Sequence, residues 1–269
     1  MSKDNEKNSL ANRMQEYESC YGFKVPARTY VIVRLDGKNF SKYTTMFEKP
    51  FDDGLSNVMD AATIELCKYL NPKFAYTQSD EISLVFTDIE NIDSELIFDG
   101  KIQKLCSISA SKLTAAFNKK MLQYIANFRY SPEELGKKIL TGEFEEIEAV
   151  FDSRVFIIPD FREVSNYFIW RQQDCTRNSV SMAASANYPH KHLEGKSNAQ
   201  KQDLLMEKGI NWNDYKTKFK RGTVIKRHSF AIEGPNDTTA IRTKWIPVET
   251  PIFTQEKEFL YNLIPTIEI

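Results

Sequence analysis

Cysteine is scarce and scattered in this chain. Cys20, Cys67, Cys106 and Cys175 lie far apart and no Cys-x-x-Cys pair occurs. That spacing argues against a disulfide framework or a cysteine zinc site and fits a reducing compartment. Histidine is scarcer still, and the His190-x-His192 pair has no partner ligands around it, so no metal role is expected there. No apolar run approaches the roughly 18 residues of a membrane helix. The first residues, Met1-Ser-Lys-Asp-Asn-Glu-Lys7, have no apolar signal core. A cytoplasmic protein with no membrane partner is therefore expected, with an organelle left open. Charge of one sign is missing too: 36 basic residues face 37 acidic ones, for a net charge of −1. Any affinity for nucleic acid must then come from a local basic surface. Gly195-Lys196-Ser197 lacks the upstream glycine of a Walker A loop, which excludes a P-loop. Neither an internal repeat nor a low-complexity linker occurs.

What is present suits a folded domain. With 41% hydrophobic and 12% aromatic residues, the chain can bury a core. Thr29–Asp36 reads as a buried strand. Leu55, Val58, Met59, Ala62, Leu66 and Leu70 recur at helical spacing over 55–70, and Asn71-Pro72 stops that helix. Strands follow at 73–78 and 82–87, then a long helix over 103–125 and a strand over Arg154–Ile158. Residues 131–149 read as polar, acidic towards their end. The order β-α-β-β-α-β is that of the split βαβ, ferredoxin-like arrangement, an α+β class that sets the first and third strands side by side. Beyond 160 helices are expected at 164–187, 197–207, 211–219 and 253–263, with a hairpin of strands from Arg221 and over 239–246. This divides the chain into a catalytic core of about 1–160 and a helical and hairpin region over 161–269 that completes the site.

Three carboxylates stand out. Asp36 ends the strand Val31-Ile-Val-Arg-Leu-Asp-Gly37, and Asp80-Glu81 joins two apolar strands in Tyr76-Thr-Gln-Ser-Asp-Glu-Ile-Ser-Leu-Val-Phe86. Hard divalent cations prefer oxygen ligands, and Mg²⁺ on nucleotide phosphates takes one or two carboxylates. Gly37 allows close backbone approach, so its carbonyl is a further candidate ligand. Each motif has a plainer reading: Asp-Gly is a common strand-to-loop turn, and Asp80-Glu81 a polar hairpin corner. If the two strand ends meet, the three acids form the centre of a two-metal phosphoryl-transfer site.

Other residues are candidates of a weaker kind. Ser79 offers a hydroxyl or a backbone N–H to a phosphate, and Lys49, Lys101 and Lys104 could reach triphosphate oxygens, although most lysines are solvated. Tyr167–Ser179 sets aromatics beside Arg171, Asp174, Arg177 and Asn178, with Trp170, Asp174 and Asn178 at four-residue spacing; an amphipathic helix with an aromatic core face explains this as well. Lys216, Lys218, Lys220, Arg221, Lys226 and Arg227, interleaved with Trp212, Tyr215 and Phe219, suit a nucleic-acid backbone or a solvated face.

Five motifs together resemble the tRNA-histidine guanylyltransferase superfamily. They are Arg34-Leu-Asp-Gly-Lys-Asn-Phe40, Tyr76-Thr-Gln-Ser-Asp-Glu81, Phe151-Asp-Ser-Arg-Val155, Tyr167-Phe-Ile-Trp-Arg-Gln-Gln-Asp-Cys175 and Arg221-Gly-Thr223, in the family's order and spanning roughly residues 28–228. The resemblance implies a polymerase-palm-like fold that adds nucleotides to the 5′ end of RNA, growing it 3′ to 5′. The 5′-monophosphate is first activated, usually by ATP, and the 3′-hydroxyl of an incoming nucleotide then attacks. By motif, Asp36, Asp80 and Glu81 are implied as catalytic, with Asp36, the Gly37 carbonyl and Asp80 holding two Mg²⁺. Arg34, Lys38, Asn39, Phe40, Lys49, Ser79, Lys101, Lys104 and Asn178 are implied to contact ATP, GTP or other nucleoside triphosphates. Arg154, Arg171, Lys196, Lys218, Lys220 and Arg221 are expected on the RNA side. The family also implies tRNA as partner and a homotetramer.

One departure is clear. Members dedicated to tRNA-histidine carry His-Ile-Asn-Asn after the Asp-Cys dipeptide, where this chain has Thr176-Arg-Asn-Ser179. That resembles the guanylyltransferase-like proteins, which repair truncated tRNA 5′ ends against the opposite strand. Competing expectations are a dedicated tRNA-histidine enzyme, a nucleotide cyclase on the same fold, and a non-catalytic RNA-binding protein.

Overall fold

The computed structural model describes residues 9–128, 131–142, 148–233 and 239–266. Residues 1–8 of the polar N-terminus and the acidic run from Glu143 to Ile147 lie outside the described residues. In chain order the elements are α1 (Leu10–Ser19), β1 (Tyr30–Gly37), α2 (Phe40–Tyr43), α3 (Asp53–Leu70), β2 (Phe74–Gln78), β3 (Glu81–Phe86), α4 (Ile102–Phe128), α5 (Pro132–Thr141), β4 (Phe151–Ile158), α6 (Phe161–Ser185), α7 (His190–Leu193), α8 (Asn198–Glu207), α9 (Thr217–Arg221), β5 (Thr223–Glu233), β6 (Thr239–Val248) and α10 (Lys257–Tyr261). The architecture is mixed helix and antiparallel sheet. Among the described residues no helix is long and apolar enough to cross a membrane.

One six-stranded sheet runs β4-β1-β3-β2-β5-β6, with every neighbouring pair antiparallel. Helices cover both faces of its central strands, so β1 is an almost continuous apolar run rather than an alternating one. On one face Val31, Val33, Leu35, Ile82 and Leu84 pack with Val58, Ala62 and Leu66 of α3 and with Leu113, Phe117 and Met121 of α4. On the other, Tyr30, Ile32, Phe74, Tyr76 and Val85 pack with Val164, Phe168 and the C-terminal Phe253, Leu260 and Ile264. At about 25 cal/mol per Å² of apolar area removed from water, such two-sided burial is the main stabilising term.

Helix starts follow their caps. Asp52 caps α3 by accepting the Leu55 N–H at 2.8 Å, and Asp160 caps α6 by accepting from Arg162 and Glu163. The αL residue Asn71 ends α3. Helix α5 falls in the stretch read from sequence only as polar. Its signal is Ser131-Pro-Glu-Glu134, in which the Ser131 and Glu134 side chains cap each other's backbone N–H groups.

Two helical expectations are corrected. Residues 211–219 are not one helix but a 3₁₀ turn over Trp212–Asp214 followed by the short α9. Asn211 accepts the Asn213 N–H and Tyr215 is extended, which separates the two. Over 253–263 only Lys257–Tyr261 is helical. Gln172 of α6 donates to the Pro251 carbonyl and accepts from the Phe253 N–H, both at 2.8 Å, and so pins that segment against α6.

The hairpin β5–β6 joins the same sheet as β1–β4, through Ala75↔Ile225 and Tyr76↔Val224. Its entry turns on Gly222, at φ +70°, where a Cβ would stand 2.6 Å from both the Thr77 carbonyl oxygen and the Tyr76 hydroxyl.

Candidate active site

Strands β1 and β3 lie side by side, with Leu35 opposite Ile82. This brings Asp36, at the end of β1, alongside the two-residue turn Ser79-Asp80 that links β2 to β3. Ser79 takes φ 49° to make that tight turn. The carboxylate of Asp80 lies against Gly37: a Cβ there would be 3.0 Å from Oδ2 of Asp80 and 2.3 Å from the Phe40 ring. Burial, with the neighbouring charge of Asp36 adding to it, pushes the Asp80 carboxyl up to about 6, against the pull of its own backbone N–H and the Ser79 hydroxyl.

Glu81 is placed differently. Its Oε2 lies 2.8 Å from Arg171 Nη1 and 2.5 Å from Arg34 Nη2. Burial still raises its carboxyl above the ordinary range, although both arginines oppose this. Its other oxygen, Oε1, is buried without a hydrogen-bond partner.

These groups open into a cleft of about 810 Å³, within the usual range for small-molecule sites. Of the residues expected from sequence, Arg34, Asp36, Asn39, Phe40, Lys49, Ser79, Asp80, Glu81, Asn178 and Lys218 line it. Phe40 does so from the core, against Tyr43, Phe117 and Phe151. Lys49 reaches back to the Thr44 carbonyl at 2.9 Å, and Asn178 donates to Asp174 at 3.3 Å. Lys218 is held by Asn57 and Asp53.

Others are not gathered there. Lys38, Lys101, Lys104 and Lys196 are absent from the cleft lining. Arg154 is exposed on β4, directly opposite Arg34. Two of the residues expected on the RNA side are buried. Arg171 is 3% exposed and committed to Glu81. Lys220 is 8% exposed, with its ammonium on the Asn213 carbonyl. Arg221 is half-buried, and its carbonyl accepts the Tyr76 hydroxyl.

Comparison with known proteins then decides the family. The tRNA(His) guanylyltransferase family model matches residues 11–159. The chain belongs to that family. It is a family of nucleotidyltransferases, and the match covers both acidic motifs. A bacterial tRNA(His) guanylyltransferase-like protein solved with ATP is 36% identical, with a TM-score of 0.80 over 96% of this chain and 99% of that one. One solved with GTP is 34% identical, with a TM-score of 0.75 over 95% and 99%. The tRNA(His) guanylyltransferase of Schizosaccharomyces pombe is 28% identical over 73% of this chain and 72% of its own length.

In this family member further residues line the cleft, and one of them, Asp60, was marked by no motif in the sequence. Asp60 and Asp174 line it, and so do Phe51 and Phe219, whose rings stack at 4.7 Å and 8°. Burial pushes the Asp60 carboxyl up to about 6, against the pull of Lys218 and Thr223. Its sequence signal was an acid set among the buried positions Val58, Met59 and Ala62 of α3.

Proposed function

We propose that this protein adds nucleotides in the 3′-to-5′ direction to the 5′ end of tRNA, choosing each by pairing with the opposite strand. The observation that carries the reading is the meeting of Asp36 and Asp80 at the rim of one nucleotide-sized cleft. In the first step the RNA 5′-monophosphate attacks the α-phosphorus of ATP and pyrophosphate leaves. In the second the 3′-hydroxyl of an incoming nucleotide attacks the activated 5′ phosphorus, a new P–O bond forms and AMP leaves. Such transfers need positioning and charge neutralisation more than covalent help from the protein.

The strand order β4-β1-β3-β2 supports the reading of the core as a ferredoxin-like, palm-like sheet. The division near residue 160, a tetrameric assembly and a cytoplasmic setting belong to the same proposal. The Thr176–Ser179 departure and the 36% identity to a guanylyltransferase-like protein favour templated repair over dedicated tRNA-histidine addition.

The donor set fits Mg²⁺. Among the described residues no three His, Cys, Asp or Glu side chains cluster to cage a metal. Asp36 and Asp80, with the Gly37 carbonyl, instead offer the few hard oxygens that Mg²⁺ takes when phosphates complete its shell. Bound there, a pair of Mg²⁺ ions would supply acidification of the attacking hydroxyl and neutralisation of the leaving group. The chain itself holds Asp80 on a tight turn against a glycine. Ser79 sets its hydroxyl beside the same turn, and Lys49 and Asn178 line the wall that faces a triphosphate. A 5′-monophosphorylated tRNA lacking its first nucleotide, given Mg²⁺, ATP and each nucleotide in turn, tests the reading. Addition of only the complementary nucleotide is expected. Addition of G alone, whatever the opposing base, would overturn the templated reading.

A further inference from the structure

Glu81 and Arg171 carry a role of their own. A single carboxylate oxygen, Oε2 of Glu81, holds both guanidiniums, and the side chains of Glu81 and Arg171 are only 8% and 4% exposed. Asp174 reaches Arg171 at 3.5 Å but also pairs with Arg177 at 2.9 Å. Arg34, Arg171 and Arg177 against Glu81 and Asp174 leave one positive charge in the network. Of the two arginines on Glu81, only Arg34 is among the residues that line the cleft. Arg171 is fixed from behind, with the Trp170 ring centroid 3.6 Å from its guanidinium carbon. The buried Nε of Arg34 has no partner.

We infer that Glu81 and Arg171 are positioning residues that fix Arg34, which the family resemblance sets among the nucleotide contacts, so that its guanidinium meets a phosphate of the bound nucleotide. The inference rests on the nucleotide-transfer reading above. A guanidinium fork suits phosphate oxygens, and its geometry counts as much as its charge. Glu81 takes one corner of the Arg34 fork and sets its plane, and Arg171 keeps Glu81 from swinging towards the Asp36–Asp80 edge. Glu81 is then an internal counter-ion and does not ligate Mg²⁺, although it adjoins Asp80 in sequence.

The test is equilibrium binding of a non-transferable ATP analogue over a Mg²⁺ titration, with Glu81→Gln, Arg171→Met and the double variant. Each single change is expected to weaken nucleotide affinity by about tenfold, equal to about 1.4 kcal/mol. The double variant should bind no worse than the weaker single, and the Mg²⁺ concentration for half-saturation should stay at the wild-type value. A raised Mg²⁺ requirement in Glu81→Gln but not in Arg171→Met would make Glu81 a cation ligand and overturn the inference, as would fully additive losses. Thermal melting reports whether each single variant folds. If one does not, the double variant, which removes one charge of each sign, decides alone: weaker nucleotide binding at an unchanged Mg²⁺ requirement supports the inference, and any other result overturns it. Wild-type protein that binds no nucleotide would sink the transferase reading itself. Wild-type transfer with unaltered binding in all variants would sink only this inference.

Discussion

Gly37 and Asp80 approach so closely across two strand ends that a Cβ on Gly37 would stand 3.0 Å from the Asp80 carboxylate, with the Phe40 ring closing the other side at 2.3 Å. Gly37→Ala should therefore displace Asp80 or the Phe40 ring. We expect a loss of about 1–3 kcal/mol in stability, as for other overpacked sites, and a fall in turnover larger than the stability loss explains. Denaturant melts and single-turnover assays on the same preparation read both.

Asp36→Ala and Asp80→Ala should each abolish activation of the 5′ end and nucleotide addition alike. A loss of about a thousandfold or more is expected for a group on which transition-state charge depends, with RNA binding largely intact. Filter binding and gel-resolved turnover measure the two. Near-normal turnover in either variant removes the acidic pair from the chemistry.

Asp60 gives a pH signature. Its folded pKa is raised from 3.8 to about 6, so the folded state holds its proton more tightly than the unfolded chain. That contribution is fully present below about 3.8 and is lost as pH rises through about 6. Asp60→Asn removes the titration. It should match the wild type closely at pH 4 and exceed it by about 3 kcal/mol at pH 8. Melting temperatures of both proteins across this range check it, and a destabilised variant at pH 8 contradicts the burial argument.

Asp52 joins a loop to a helix, accepting from the Leu55 and Glu48 N–H groups at 2.8 and 3.1 Å. Asp52→Ala should cost about 1–2 kcal/mol through the lost cap, seen as a lower denaturant midpoint. An unchanged midpoint would mean that water replaces the carboxylate.

The sequence disclosed most where local pattern and tertiary structure agree. The buried strand through Leu35, the helix over Leu55–Leu70 and the acids at strand ends all have a period or a turn signal that survives packing. Three features did not show. The pairing of Arg171 with Glu81 joins residues far apart in sequence, and an arginine on a helix reads as surface until its neighbours are known. The C-terminal segment carries a helical pattern, yet Gln172 captures its backbone. Asp60 looked like one more polar helix position because nothing local reveals that Lys218 and Thr223 come to lie beside it. Local propensity yields to tertiary contacts in each of these cases.

The far wall of the cleft, with Lys218, Phe219 and Thr223, comes from the segment that leads into β5. Strand β5 docks on β2 through pairs as distant in sequence as Phe74↔Lys226, a long-range closure that costs loop entropy. Until then the acidic pair sits on an unfinished sheet, open to water and with nothing to enclose a triphosphate. The two walls of the cleft thus meet only through the β2–β5 pairing, so the enclosed pocket and the completed sheet are one structural event.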